Sequence, residues 1–133
     1  MPSFQIDGMA NVVKRFPKVR LVITHLLAPP MGSDASLFPA LRTLKHDRIW
    51  FDLSALPWNV SPEAYPYPTS VKYIAEAKRI VGAEHLIWGT DVPAILTIAT
   101  YQQLIDFVTT SEVLIGSELD AVMGANAADV YGL

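Results

Sequence analysis

The feature that most restricts the fold of this chain is a regular alternation of helical and strand-like segments. Apolar residues with helical spacing predict a first helix between Ser3 and Pro17. Three later segments, 20–26, 48–53 and 85–88, are rich in β-branched, aromatic and other apolar residues, which is typical of buried parallel strands. Further helices are predicted to begin at Ser36, at Ser70 with its end at Gly82, and after Thr100, which has capping-box spacing to Gln103. Ser117 and Asn126 are predicted to cap helices near the end of the chain. This order predicts an α/β fold built from βα units on a parallel sheet, with right-handed crossovers.

The predicted sheet is small for its class. Three parallel strands leave two unpaired edges, whereas parallel sheets are usually buried on both faces and protected at their edges. We therefore expect residues 1–133 to form a single partial domain that is incomplete as an isolated chain. Its exposed edges favour association with further copies of itself or with a separate complementing chain.

Charge and cysteine content exclude several classes of partner and site. Ten Lys and Arg residues against thirteen Asp and Glu residues give a net charge of −3, so we expect no nucleic-acid partner. The absence of cysteine excludes disulfides and thiolate metal sites, which leaves histidine and carboxylate as metal ligands. No apolar run approaches the ~18 residues of a transmembrane helix, and the N-terminus lacks the pattern of a signal peptide. The expectation is a cytoplasmic protein without a membrane partner.

Two polar residues stand where predicted strands end. His25 closes the first strand, and Asp91 lies in the Gly-Thr-Asp-Val-Pro turn after the third. Functional groups of parallel βα folds project from the carboxyl ends of strands, so both are candidate catalytic residues. Each also has a structural interpretation: His25 as a histidine bonded to a neighbouring carbonyl, and Asp91 as a turn-capping carboxylate before Pro93.

Residues around the second strand end are weaker candidates. Asp52 and Ser54 are placed to line a pocket, although a Ser-His-Asp triad is not expected without a G-x-S-x-G nucleophile elbow. A proline-rich loop, 57–68, contains Trp58, Tyr65 and Tyr67, which either wall a substrate pocket or pack the loop onto its own domain. The remaining histidines, His46 and His85, are interpreted as structural.

Three motifs together resemble a known family. They are the segment from Arg15 to His25, the segment Trp88–Pro93 about sixty residues later, and the ending Gly-Ala-Asn-Ala-Ala-Asp-Val-Tyr-Gly-Leu at 124–133. In this order and spacing they resemble the C-terminal part of the amidohydrolase-related (amidohydrolase 2) family, over nearly the whole chain. The family includes metal-dependent hydrolases, lactonases and decarboxylases that are TIM-type (β/α)₈ barrels.

The resemblance implies both an architecture and a site. The three strands correspond to strands 6–8 of the barrel, His25 to the histidine that acts on metal-bound water, and Asp91 to the carboxylate that binds the metal or carries its proton. The implied cofactor is a divalent metal, zinc or manganese. The implied reaction is hydrolysis of a small C–N or lactone substrate, or decarboxylation of a small unsaturated or aromatic acid.

One departure from the family bears on metal binding. The family's His-x-His pair on its first strand and a further histidine on its fifth have no counterpart among His25, His46 and His85. Because tightly held zinc normally has at least three protein ligands, we expect this chain alone to bind metal weakly or not at all. A noncatalytic fragment or subunit that associates through its sheet edges is therefore the alternative hypothesis.

Overall fold

The three strands form a parallel sheet, as the sequence predicts. The computed structural model describes residues 3–133. Strands β1 (Leu21–Ile23), β2 (Ile49–Asp52) and β3 (Leu86–Ile87) lie in the order β1-β2-β3. Leu21 is in register with Ile49, and Phe51 with Leu86. All three strands therefore end at the same edge of the sheet, and β1 and β3 are its outer strands.

Helices connect and follow the strands. The first two are α1 (Ser3–Arg15) before β1 and α2 (Asp34–Leu44) between β1 and β2. The others are α3 (Leu56–Asn59), α4 (Pro68–Val81), α5 (Tyr101–Thr109), α6 (Ser117–Asp120) and α7 (Asn126–Tyr131). Along the sheet, α1 packs on α2 and α2 packs on α4, so the helices follow the order of the strands. This is a layered βα arrangement.

Alternate strand residues enter two separate apolar clusters, as the two-residue period of a strand requires. Ile23, Phe51 and Leu86 belong to the main core, together with buried side chains of α1, α2 and α4. Trp50 and Ile87 face the other way and pack with Val130 of α7. Both faces of the sheet are thus covered, one by three helices and the other by the C-terminal helix.

Two helix starts differ from the sequence expectation. The second helix begins at Asp34 after Ser33, rather than at a cap formed by Ser36, so Pro39 lies in its second turn instead of its first. The helix expected at Ser70 begins at Pro68, because the proline ring already fixes the φ angle that the first helical turn needs. It ends at Gly82, as predicted, where φ is +94° and the amide donates to the carbonyl of Lys78.

The C-terminal segment is tied to the sheet by two polar side chains. Asn126, expected to cap a helix, instead donates hydrogen bonds of 2.8 Å to the carbonyls of Ala83 and Leu86, beside the start of β3. Arg20 donates to the carbonyls of Asp129 and Val130. A π-helical turn over Ala121–Ala125 joins α6 to α7. These bonds hold α7 against the sheet beside Trp50.

The link between α1 and β1 is held by one arginine. Arg48, directly before β2, donates to the carbonyls of Phe16 at 2.8 Å and Val19 at 2.9 Å, and also to Val13. Three carbonyls near the end of α1 are therefore satisfied by a single guanidinium. In the part of the chain described, no helix is long and apolar enough to cross a membrane.

Candidate functional site

His25 lies on an unusual backbone turn at the end of β1. Four consecutive residues, His25, Leu26, Leu27 and Ala28, have φ angles of +58°, +50°, +68° and +53°. The left-handed conformation costs an L-residue roughly 1–2 kcal/mol. Leu26 is completely buried at 0% exposure, and the amide of Ala28 donates to the carbonyl of His25 at 2.7 Å. Apolar burial and this hydrogen bond hold a strained turn at a candidate catalytic residue.

This turn gives a stability prediction. Ala28 is exposed, so Ala28→Gly relieves the free-energy cost of the left-handed conformation without removing buried surface. Part of this gain is offset, because glycine makes the unfolded chain more flexible and so lowers stability by about 0.5–1 kcal/mol. We expect the variant to be more stable by about 0.5–1 kcal/mol in urea denaturation. Ala75→Gly, inside α4, is the opposite control and should lose about 1 kcal/mol. A loss of stability in Ala28→Gly would contradict the left-handed assignment.

The His25 side chain is bonded to residues that follow the neighbouring strand. Its Nδ1 lies 2.7 Å from Oγ of Ser54. Asp52, the last residue of β2, accepts through Oδ1 from the amide of Ser54 at 2.8 Å, from the amide of His25 at 3.3 Å and from the Ser54 hydroxyl. The sequence placed Asp52 and Ser54 near the pocket but gave no sign of these bonds, because they join residues 27 and 29 positions apart.

Gly89, which follows β3, also lies close to Ser54 and Asp52. A β-carbon built on Gly89 would lie 3.1 Å from Cβ of Ser54 and 3.6 Å from Oδ1 of Asp52. A side chain at this position would therefore be tightly packed, because the backbone of one strand end lies close to the side chains of the next. His25, Asp52, Ser54 and Gly89 form what we call the strand-end cluster.

Asp91 and Trp58 lie outside the hydrogen bonds of this cluster. Asp91 follows Gly89 by two residues, is exposed and has a φ angle of +68°. Among residues 3–133, no hydrogen bond or ion pair joins its carboxylate to His25. Trp58 lies on α3 with 49% of its surface exposed. Both residues follow strands at the same edge as His25, and their predicted roles stay predictions.

The other histidines and aromatic residues have structural contacts. His85 places Nδ1 2.9 Å from the carbonyl of Ile49 and its ring beside Trp50, and Nδ1 of His46 accepts from the amide of Arg48 at 3.0 Å. Tyr67 is only 3% exposed and packs edge-on against Phe107. Burial, followed by the nearby Tyr65, raises the pKa of the Tyr67 hydroxyl. The loop 57–68 thus packs partly onto its own domain, while Trp58 and Tyr65 stay exposed.

The residues present do not by themselves fit a complete metal site. Within residues 3–133, no group of three His, Asp or Glu side chains is placed to hold one ion. His25 directs Nδ1 to Ser54, and Asp91 is separate from the strand-end cluster. Two isolated donors fall short of the three protein ligands of a typical zinc site.

A layered parallel sheet with an imidazole at its carboxyl edge defines an α/β protein of the kind that carries its chemistry on strand ends. Sequence comparison then places it within a family. Residues 1–133 match the amidohydrolase family model over their whole length, and the chain belongs to that family. The resemblance seen in the sequence motifs is confirmed.

One characterised relative is similar in sequence. L-fucono-1,5-lactonase from Burkholderia ambifaria is 32% identical over 94 residues, which cover 66% of this chain and 31% of the lactonase. This chain thus corresponds to less than half of that protein.

Solved structures share the fold at low identity. An amidohydrolase from Burkholderia multivorans, solved with bound HEPES and with bound zinc, gives TM-scores of 0.83 and 0.82 at 24% identity. These two matches cover 97% of this chain and 50% and 49% of those chains. The 5-carboxyvanillate decarboxylase of Sphingomonas paucimobilis gives a TM-score of 0.58 at 15% identity, over 94% of this chain and 37% of its own. The chain spans about half the length of the first two structures.

Proposed function

We propose that this chain carries the base-bearing strand ends of a hydrolase that opens a small lactone. The observation that supports this most directly is the half-buried imidazole of His25, held at the carboxyl edge of a parallel sheet by Ser54. The sequence similarity to a lactonase favours a cyclic ester over the C–N bond that the family also admits. In this proposal β1, β2 and β3 correspond to strands 6–8 of a (β/α)₈ barrel, and residues 1–133 are one partial domain.

The proposed reaction uses His25 as a general base. Water attacks the lactone carbonyl carbon while the imidazole takes one of its protons, so that a C–O bond forms and the π electrons of the carbonyl move to its oxygen, which becomes negative. The ring oxygen then leaves as the second C–O bond breaks, and the proton is returned to it. The products are a carboxylic acid and a hydroxyl on one open chain. Asp52 and Trp58 are proposed to face the substrate from the neighbouring strand end and from α3.

A divalent metal is proposed for the assembled enzyme rather than for this chain alone. A related amidohydrolase is described with bound zinc, which favours zinc over manganese. Asp91, exposed at the same edge, is the carboxylate proposed to contact such an ion. The additional donors would come from outside the described residues, and no step of the reaction above depends on them.

The proposed partner pairs with an open sheet edge. Strand β1 is bonded on one side only. At that end of the helical layer, α1 exposes Phe4 and Val12, and Phe16 is exposed directly after α1. Unpaired strand edges beside apolar surface favour association. We propose that a second copy or a complementing chain covers this side, together with a small-molecule substrate at the strand ends and a cytoplasmic location.

The proposed function is tested by lactone hydrolysis. The purified chain, at concentrations where light scattering detects association, is incubated with five- and six-membered aldonolactones and followed by acid release, with zinc or manganese added. We expect lactone opening above the uncatalysed rate. Carbon dioxide release from aromatic acids without lactone opening would identify a decarboxylase instead. Absence of both activities at every concentration would reject catalysis by this chain and favour a noncatalytic subunit.

A further inference from the structure

We propose that Ser54 and Asp52 are positioning residues that hold neutral His25 with its proton on Nδ1 and leave Nε2 free as the basic nitrogen. This inference rests on the proposed function only for the use made of Nε2. The assignment of the proton itself follows from the hydrogen bonds of the strand-end cluster. It gives a catalytic meaning to two residues whose spacing does not form a nucleophile elbow.

The first step concerns the acceptor, Asp52. Its Oδ1 receives the amide of Ser54 at 2.8 Å, the amide of His25 at 3.3 Å and the hydroxyl of Ser54. An ionised carboxylate has only acceptor sites, so all three partners must be donors. Since Oδ1 already accepts from two backbone amides, the hydroxyl of Ser54 is the donor of the third bond.

The second step concerns the single proton of the Ser54 hydroxyl. Because that proton points to Asp52, Oγ has only lone pairs left for His25, whose Nδ1 lies 2.7 Å away. Nδ1 must therefore be the donor. In the opposite arrangement Ser54 would donate to His25, and two oxygens bearing lone pairs would face each other in direct contact. That repulsion makes the alternative tautomer unfavourable here.

The third step concerns how firmly the ring is held. Asp52 bonds the backbone amide of His25 directly and its ring through Ser54, so one carboxylate fixes the residue at two points. Since the partner of one ring nitrogen sets the tautomer, the neutral ring has its lone pair on Nε2. This is the nitrogen that can accept a proton from water.

Two other histidines of the chain serve as internal references for the two neutral tautomers. His85 places Nδ1 against the carbonyl of Ile49, which can only accept, so its neutral ring has the proton on Nδ1. Nδ1 of His46 accepts from the amide of Arg48, so the neutral ring of His46 has its proton on Nε2. Long-range proton–nitrogen NMR spectra recorded above neutral pH should therefore contain the signal pattern of each neutral tautomer, one from His85 and the other from His46. The rings are assigned by single substitution.

We expect His25 to show the pattern of His85 in the wild-type chain. Ser54→Ala removes the acceptor for Nδ1, and the His25 ring should then shift toward the pattern of His46. Ser54→Thr retains a hydroxyl and should restore the wild-type pattern. Ser70→Ala is the matched control, because Ser70 is also buried and its hydroxyl has no hydrogen-bond partner among residues 3–133. The His25 signals should not move in this variant.

Two results would overturn the proposal: a wild-type His25 ring with its proton on Nε2, or a ring unaffected by Ser54→Ala. Neither measurement needs a substrate. An inactive chain whose His25 has its proton on Nδ1 would therefore reject the lactonase function and still support the positioning of His25 by Ser54 and Asp52. In an active preparation, Ser54→Ala should lower kcat and leave KM unchanged, with recovery in Ser54→Thr.

Discussion

His25→Ala should lower the rate of lactone opening by about 10²–10⁴-fold, the range in which a general base contributes to proton transfer. The imidazole is the basic side chain that the strand-end cluster holds, and alanine leaves nothing at the end of β1 to accept a proton from water. The loss should appear in kcat, because the proton moves in the transition state while substrate contacts remain. Initial rates across a range of lactone concentrations measure it.

His46→Ala is the matched control for this loss. His46 is also half-buried, but it lies beyond the end of α2 and is bonded to the amide of Arg48. Its removal should leave kcat within about twofold of wild type, since it has no part in proton transfer. Equal rates for wild type and His25→Ala, with both proteins folded by circular dichroism, would exclude His25 as the base.

Phe51→Ala should destabilise the fold by about 3–5 kcal/mol, the usual cost of removing a buried phenylalanine. Phe51 has 0% exposure and lies in the central strand, where it contacts the helical side of the core. A loss of this size is a large fraction of the total stability of a small domain, so the midpoint of urea denaturation should fall sharply. Most of the protein should be unfolded at moderate urea.

Phe4→Ala removes the same side chain from the surface. Phe4 is 72% exposed on α1, so this substitution should change stability by no more than about 0.5 kcal/mol. Similar losses for the two variants would mean that Phe51 does not lie in the centre of the core. A large loss for Phe4→Ala that depends on protein concentration would instead place α1 in an interface between copies.

Local sequence signals are sufficient to predict most of the helices and strands and the class of fold. Thr100 and Gln103 have capping-box spacing, and both reciprocal hydrogen bonds of that motif are present at the start of α5. Gly82 ends α4 as predicted. Such features depend on neighbours within one helical turn, so they can be read directly from the chain. The class of fold follows from the same local regularities.

The strand-end cluster shows why the site was only partly predictable. The first strand was expected to continue to Leu26, yet it ends at Ile23, because non-glycine residues enter a left-handed turn that propensity does not indicate. The bonds from His25 to Asp52 and Ser54 depend on strand pairing, which fixes distances only after folding. The strand-end positions of His25 and Asp52 are enough to predict them as candidates, whereas the hydrogen bonds that connect them through Ser54 exist only in the folded chain.

All hydrogen bonds of the strand-end cluster are made within one β-α-β unit, from the start of β1 to Ser54. The proposed position of the proton on Nδ1 therefore depends on hydrogen bonds within this unit alone. A protein engineer could move this unit into another parallel sheet and carry over an oriented base. Exchange of the remaining strands would then alter which molecules are bound, while the basic nitrogen stayed the same.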